Sequence, residues 1–147
     1  MRMRDKGVHA IIAVSLAFAS TTAFAKTISV AAGDDAQARL QEALIGAVPG
    51  DVVELGSGRF RLTDGLSLDV AKVTVKGQGS GQTILDFTGQ LGAGEGLLVT
   101  SDDVVLRDFA VENTKGDGIK SKGADRIVYY QLRVEWTGGP KKPTEPM

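Results

Sequence analysis

The chain has 147 residues with 17 bases, 18 acids, one histidine and no cysteine, a net charge of −1 at pH 7. That length suits one small domain, and so even a balance gives no basic footprint for nucleic acid. The lack of cysteine excludes a disulfide framework, a thiol nucleophile and a thiolate zinc site.

The first element is a leader. Arg2, Arg4 and Lys6 make a basic start, residues 10–19 read AIIAVSLAFA, and Ala23-Phe24-Ala25 is a small-x-small cleavage site. This is the layout of a secretory signal peptide over 1–25, with cleavage near Ala25 and a periplasmic or secreted destination. The alternative, an N-terminal anchor helix, needs ~20 apolar residues to span a bilayer, and this run is shorter, so no transmembrane segment is expected after cleavage. The only histidine, His9, lies in the leader, which removes Ser-His-Asp catalysis and imidazole-bound zinc from the mature chain. The remainder carries 14 bases and 17 acids, a net charge of −3. Chemistry would fall to Asp, Glu, Lys, Arg or Tyr, and Ca²⁺ remains possible because it takes oxygen ligands.

Residues 34–46 (DDAQARLQEALIG) predict a helix. Asp34 or Asp35 stands at its N-cap, Ala36, Leu40, Ala43 and Leu44 form the apolar stripe, and Gly46 is the stop. Pro49-Gly50-Asp51 predicts a turn. Short β-type runs follow at 52–55, 59–62, 66–69, 72–76, 83–87, 97–100, 104–111 and 126–134, each bounded by Gly, Asp, Ser or Asn.

The runs repeat. Shifted by 23 residues, Val104 falls on Ile127, Leu106 on Tyr129, Phe109 on Leu132 and Val111 on Val134. Shifted by 22, Gly96 and Leu97 fall on Gly118 and Ile119. Shifted by 31, Gly65, Leu66, Leu68, Val73 and Val75 fall on Gly96, Leu97, Val99, Val104 and Leu106. The extra nine residues lie in the glycine-rich stretches between Lys76 and Gly96. Val53 and Leu55 match Val73 and Val75 at a shift of 20. The leucine-rich repeat pattern is absent. Strands recurring at one period predict a solenoid whose coils stack ~4.8 Å apart as parallel sheets. Inward columns are expected at Val53, Val73, Val104 and Ile127; at Val75, Leu106 and Tyr129; at Leu66, Leu97 and Ile119; and at Phe109 and Leu132. The fold class is all-β, a right-handed parallel β-helix of about four coils with an N-terminal capping helix, handed by the usual crossover rule. An antiparallel sandwich would not need columns at a fixed spacing.

A resemblance can be stated on these residues. "LQEALIGAVPGDVVELGSGRFRLTDGLSLDVAKVTVKGQGSGQTILDF" resembles the opening of the pectate-lyase-like parallel β-helix superfamily: a capping helix, P-G-D, a strand, a G-x-G turn, V-T-V-K-G-x-G and T-I-L-D. "GLLVTSDDVVLRDFAVENTKGDGIKSKGADRIVYYQLRVEWTGG" resembles its repeats, so the likeness covers 34–139. It implies the fold. For activity it implies only a range, since such proteins include polysaccharide lyases, hydrolases, epimerases and surface proteins.

Three candidate sites follow. "NTKGDGI" around Asp117 resembles the polygalacturonase motif N-T-D-G-x-D, but Lys115 stands where the first aspartate would be. Glycosidic hydrolysis needs two carboxyl groups on one bond, so Asp117 reads better as a corner between Gly116 and Gly118. Asp102 and Asp103 could hold Ca²⁺, as the lyases imply, yet they fall on Ala71 and Lys72 in the repeat, with only Asp125 as a nearby third acid, and read as a turn. Lys76 and Arg107 occupy equivalent outward positions with Tyr130 next in line. The resemblance implies bases that pair with uronate carboxylates, as arginine does bidentately. The alternative is edge charge that prevents aggregation.

The repeat runs to residue 139 and gives way to a polar, proline-rich tail at 140–147. A solenoid needs a cap at each end, and only the front shows one. Two expectations follow: a fragment of a longer β-helix, or self-association through the uncapped last coil. The functional expectation is an exported, polysaccharide-associated protein, a binder or remnant of a lyase-, epimerase- or hydrolase-like parent. This chain alone reads as non-catalytic. The alternative is a non-catalytic structural or surface module. Acidic polysaccharide is the expected partner, and no cofactor other than Ca²⁺ is implied.

Overall fold

The computed structural model describes residues 11–18, 24–92 and 94–138; the basic start of the leader and the tail at 140–147 lie outside them. Strand β1 (Thr27–Val30) is followed by helix α1 (Ala36–Gly46). The strands that follow are β2 (Val52–Leu55), β3 (Gly58–Arg61), β4 (Leu66–Leu68), β5 (Thr74–Lys76), β6 (Thr83–Asp86), β7 (Leu97–Val99), β8 (Val105–Arg107), β9 (Ala110–Glu112), β10 (Ile119–Ser121), β11 (Val128–Tyr130) and β12 (Arg133–Glu135). They form three sheets: sheet A in the order β1-β2-β5-β8-β11, sheet B β12-β9-β6-β3, and sheet C β10-β7-β4. Every pairing is parallel. The chain visits A, B and C in turn and drops one rung per circuit, which is a parallel β-helix and not a sandwich.

Alternation drives the packing. In β4 and β7 the first and third residues are buried. The core comprises the inward residues of three coils and the α1 stripe, with Phe60, Phe87 and Phe109 fully buried among them. Ala36, Leu40, Ala43 and Leu44 are the buried residues of α1, as their spacing predicts. Asp35 takes the N-cap position with φ 59° and makes no side-chain cap bond; Ala36 N–H instead donates to the Gly33 carbonyl at 3.3 Å.

Helix α1 closes the first coil with two glutamines. Gln41 Nε2 donates to the Ser67 carbonyl at 3.0 Å, and Ser67 N–H donates to Gln41 Oε1 at 2.9 Å. Gln37 Oε1 accepts from Thr63 and Asp64 N–H at 3.2 and 3.1 Å. The polar edge of β4 is thus paired where it would otherwise face a helix without partners.

The glycine column holds: Leu66, Leu97 and Ile119 stand in register, so Gly65, Gly96 and Gly118 stack one residue before them. The first coil corrects the expected register. Val53 pairs with Val75, a shift of 22 and not 20, so its column is Val53, Val75, Leu106 and Tyr129. The column Val73, Val104, Ile127 is headed by Asp51. Both shifts are even, so both keep the inward face inward and alternation cannot choose between them. The choice rests on Asp51, a fully buried carboxylate satisfied by the N–H groups of Lys26 and Val48 at 3.0 and 2.9 Å.

Two expected single runs are each two strands. Run 104–111 breaks at Asp108 and run 126–134 at Gln131, with φ of 60° and 52°, and the chain turns there from sheet A to sheet B. Strands β1 and β10 lie outside the predicted β-type runs.

Candidate functional site

The outer face of sheet A carries the expected basic column. Register places Glu54, Lys76, Arg107 and Tyr130 in one line, beside a second line of Val52, Thr74, Val105 and Val128. The Lys76 and Arg107 side chains are 43% and 41% exposed, which leaves both reachable. Lys76 Nζ has one long contact, 3.8 Å to Glu54 Oε1. Arg107 Nε pairs with the neighbouring Asp108 carboxylate, and its guanidinium carbon lies 5.1 Å from the centroid of the Tyr130 ring, a cation–π distance. Lys76 and Arg107 lie on neighbouring strands, whose backbones stack about 4.8 Å apart, with an aromatic ring on the next strand.

The acidic candidates are separated by sheet C. Asp117 lies in the corner before β10, and Asp102 and Asp103 lie in the corner that leads to β8. The Asp117 carbonyl accepts from Gly96 N–H at 2.8 Å, so its backbone is a rung of the stack, while its carboxylate is 3.3 Å from Lys120 Nζ. Lys120 also bonds Glu95 at 2.8 Å. Asp103 shares a corner position with Lys72 and Arg126, all with φ near +60°. Arg126 bonds Asp103 through Nε at 2.6 Å and reaches Asp102 at 3.3 Å. The hydrogen bond from Arg126 holds the Asp103 carboxyl below its ordinary range. Asp102 Oδ1 also accepts from Asp125 N–H at 2.8 Å. These two carboxylates therefore have a guanidinium as their partner. Among the described residues no three of His, Cys, Asp and Glu gather to hold a metal ion.

Sheet B bears a site that the sequence reading missed. Its outward lines are Arg59, Ile84, Ala110, Arg133 and Arg61, Asp86, Glu112, Glu135. Arg59 Nη1 bonds Asp86 at 3.0 Å and Glu112 at 2.7 Å; Arg133 Nη1 bonds Glu112 at 3.0 Å and pairs with Glu135. Glu112 is only 4% exposed although it points away from the core, because Arg133 from the next coil and Arg59 from two coils back both close over it. Burial pushes the Glu112 carboxyl up, and the hydrogen bonds from Arg59 and Arg133 outweigh it, so its pKa falls below the ordinary value. A carboxyl depressed in the folded state stabilises the fold above its unfolded pKa. That contribution is full above about pH 4.5 and is lost as pH falls through the lower folded value.

The loops at 77–82 and 87–96 flank this sheet, and Arg133 Nη2 donates to the Ser80 carbonyl at 3.0 Å. They also explain the omission. The nine extra residues are split between the two sides of β6, so sheet B repeats at shifts of 25 and 26 before it returns to 23, and never at 31. Laying β3, β6, β9 and β12 in their own register would have aligned the ladder. Arg61 stands between two clefts, one lined by Gly33, Asp34, Asp35 and Arg59, the other by Leu62, Thr63, Asp86, Thr88 and Gly89.

Arg59 and Arg133 are about as exposed as Lys76 and Arg107, but each of the sheet B arginines meets two carboxylates, whereas Lys76 and Arg107 each meet one. The sheet A column is thus the surface better able to take an anionic chain. Compared with protein-family models, with curated proteins and with solved structures, the chain matches none.

Proposed function

We propose that this chain is an exported β-helix that binds acidic polysaccharide along the outer face of sheet A. One observation carries the reading: Lys76 and Arg107 stand half-exposed in adjacent coils, with the Tyr130 ring next in the same line. A polyuronate offers carboxylates at regular intervals, and two successive coils offer one cation each, Lys76 and Arg107. The ring would stack against a sugar face while the guanidinium takes a carboxylate. The cap helix, P-G-D turn and V-T-V-K-G-x-G run resemble the pectate-lyase-like superfamily, whose range of activities includes polysaccharide-acting proteins. Binding without turnover is the reading for this chain.

Titration of the mature chain with alginate and with pectate tests it. Wild type should bind at low salt and weaken as salt rises. Arg107→Ala should lose about tenfold in affinity, the size of one charged hydrogen bond. No binding by wild type, or binding untouched by Arg107→Ala, defeats the reading.

The last coil favours a second reading, a structural module. Strands β10, β11 and β12 form the edges of all three sheets at one end, and Tyr129, Val134 and Trp136 are 51%, 42% and 49% exposed there. Tyr129 and Val134 are inward residues by register. Helix α1 covers the opposite end, so a second copy would pair last coil to last coil, a closed two-fold arrangement. Sedimentation should give a dimer that Tyr129→Lys converts to monomer; a wild-type monomer at tens of micromolar rejects it.

A further inference from the structure

The residue that follows the expected cleavage point meets a buried carboxylate. Asp51 heads an inward column and is fully buried. Its Oδ2 accepts from Val48 N–H at 2.9 Å and its Oδ1 from Lys26 N–H at 3.0 Å. Lys26 is fixed from its other side too, since its carbonyl accepts from Val52 N–H at 2.9 Å, one residue before β1 joins β2. The nitrogen against Asp51 is therefore the atom that cleavage after Ala25 would free.

We propose that removal of the leader completes the fold electrostatically, by setting the new α-ammonium of Lys26 against the Asp51 carboxylate. The step is hydrolysis with one water and a signal peptidase. The Ala25–Lys26 C–N bond breaks, the oxygen of water goes to the Ala25 carbonyl carbon, and the leader departs as a carboxylate. The Lys26 nitrogen takes up protons and is an ammonium near neutral pH, because an α-amine titrates at about 8. Before cleavage the same nitrogen is a neutral amide, and Asp51 feels a cation only at a distance, through the attraction of the Lys26 side chain, with none bonded to it. A buried carboxylate without a cation is costly, and a charge-assisted bond is roughly twice as strong as a neutral one. Bonds from Val48 and Lys26 already hold the Asp51 carboxyl below its ordinary range, so the carboxylate is ionised and ready for the pairing. The chain thus gains stability when the leader is gone, as suits a protein that should fold after export.

The inference rests on residues 1–25 being a leader, and the experiment separates the two claims. Sequencing of the exported protein should begin Lys-Thr-Ile; any other start overturns both. Two purified forms then test the pairing, one beginning at Lys26 and one retaining Phe24-Ala25. The Lys26 form should melt about 4 °C higher or more, the shift that one added charged bond gives in a domain of this size. In an Asp51→Asn background the gap should vanish. Equal melting of the two forms sinks the proposal even if cleavage is at Ala25. A labelling measurement needs no substitution at Asp51. The Lys26 α-amine of the native protein should react with an acylating reagent about tenfold slower than in the urea-unfolded chain, since reaction would require local opening. Equal rates would overturn the pairing.

Discussion

Phe109→Ala is expected to cost about 3–5 kcal/mol of folding stability, a large part of the total for a domain this small. Phe109 is fully buried at the corner between β8 and β9, where the chain turns from sheet A to sheet B. Its carbonyl accepts from Arg133 N–H at 3.3 Å, so the coil below hangs from the same residue. The ring fills the angle between two sheets, and neither sheet can collapse inward, because each is tied to its neighbours by parallel pairing. A cavity left there stays open, which is the expensive case. Phe109→Leu should cost less, about 1–2 kcal/mol, because most of the volume is kept. Urea unfolding checks both: the midpoint falls while the slope is unchanged. A loss under about 1 kcal/mol for the alanine variant would contradict the packing described for this corner.

Gly96→Ala is expected to cost about 3 kcal/mol although it adds a single methyl. A Cβ at Gly96 would lie 2.5 Å from the Gly118 carbonyl oxygen and 2.6 Å from Thr114 Cγ2. That oxygen cannot move aside, because it accepts from Leu97 N–H at 3.0 Å as a rung between coils. Thr114 is buried and Phe87 Cε2 stands 3.2 Å away on another side. Relief would require the coils to part at sheet C. Gly81→Ala is the control, since a Cβ there meets nothing within 4 Å. Thermal melts of the pair should separate clearly, with Gly81→Ala within about 0.5 kcal/mol of wild type. Similar behaviour of the two would mean that the stack is looser than its hydrogen bonds imply.

Much of this architecture was legible in the residues, and the illegible parts share a cause. The glycine column and the leucines after it could be read because sheet C has three-residue strands at shifts of 31 and 22 with a fixed marker, Gly, before each. The α1 stripe was legible from its spacing. Corners at Asp108 and Gln131 were not, because their left-handed backbone is carried by residues other than glycine, and two strands therefore read as one run. The first coil slipped by two residues because alternation is blind to an even shift, and the deciding residue, Asp51, is a charged side chain in an inward position. The sheet A column was legible because it shares its register with the inward residues beside it. The sheet B ladder was not, because its acids and bases neutralise each other across coils 25, 26 and 23 residues apart, an uneven spacing that no local motif records.

A glutamine side chain has a donor and an acceptor on one planar group, as a peptide bond does. Gln41 therefore gives β4 a surrogate rung, and the sheet C ladder ends there on a matched partner. Nothing comparable meets the outer edges of β10, β11 and β12 among the described residues. In a one-dimensional stack, where each coil is held by its neighbours, unequal ends impose a direction. Thermal opening is therefore expected to start at the last described coil and run toward the helix, so that amide hydrogen exchange should slow coil by coil toward Ser67. The molecule is a zipper with a fixed stop, and the stop is two side-chain amides.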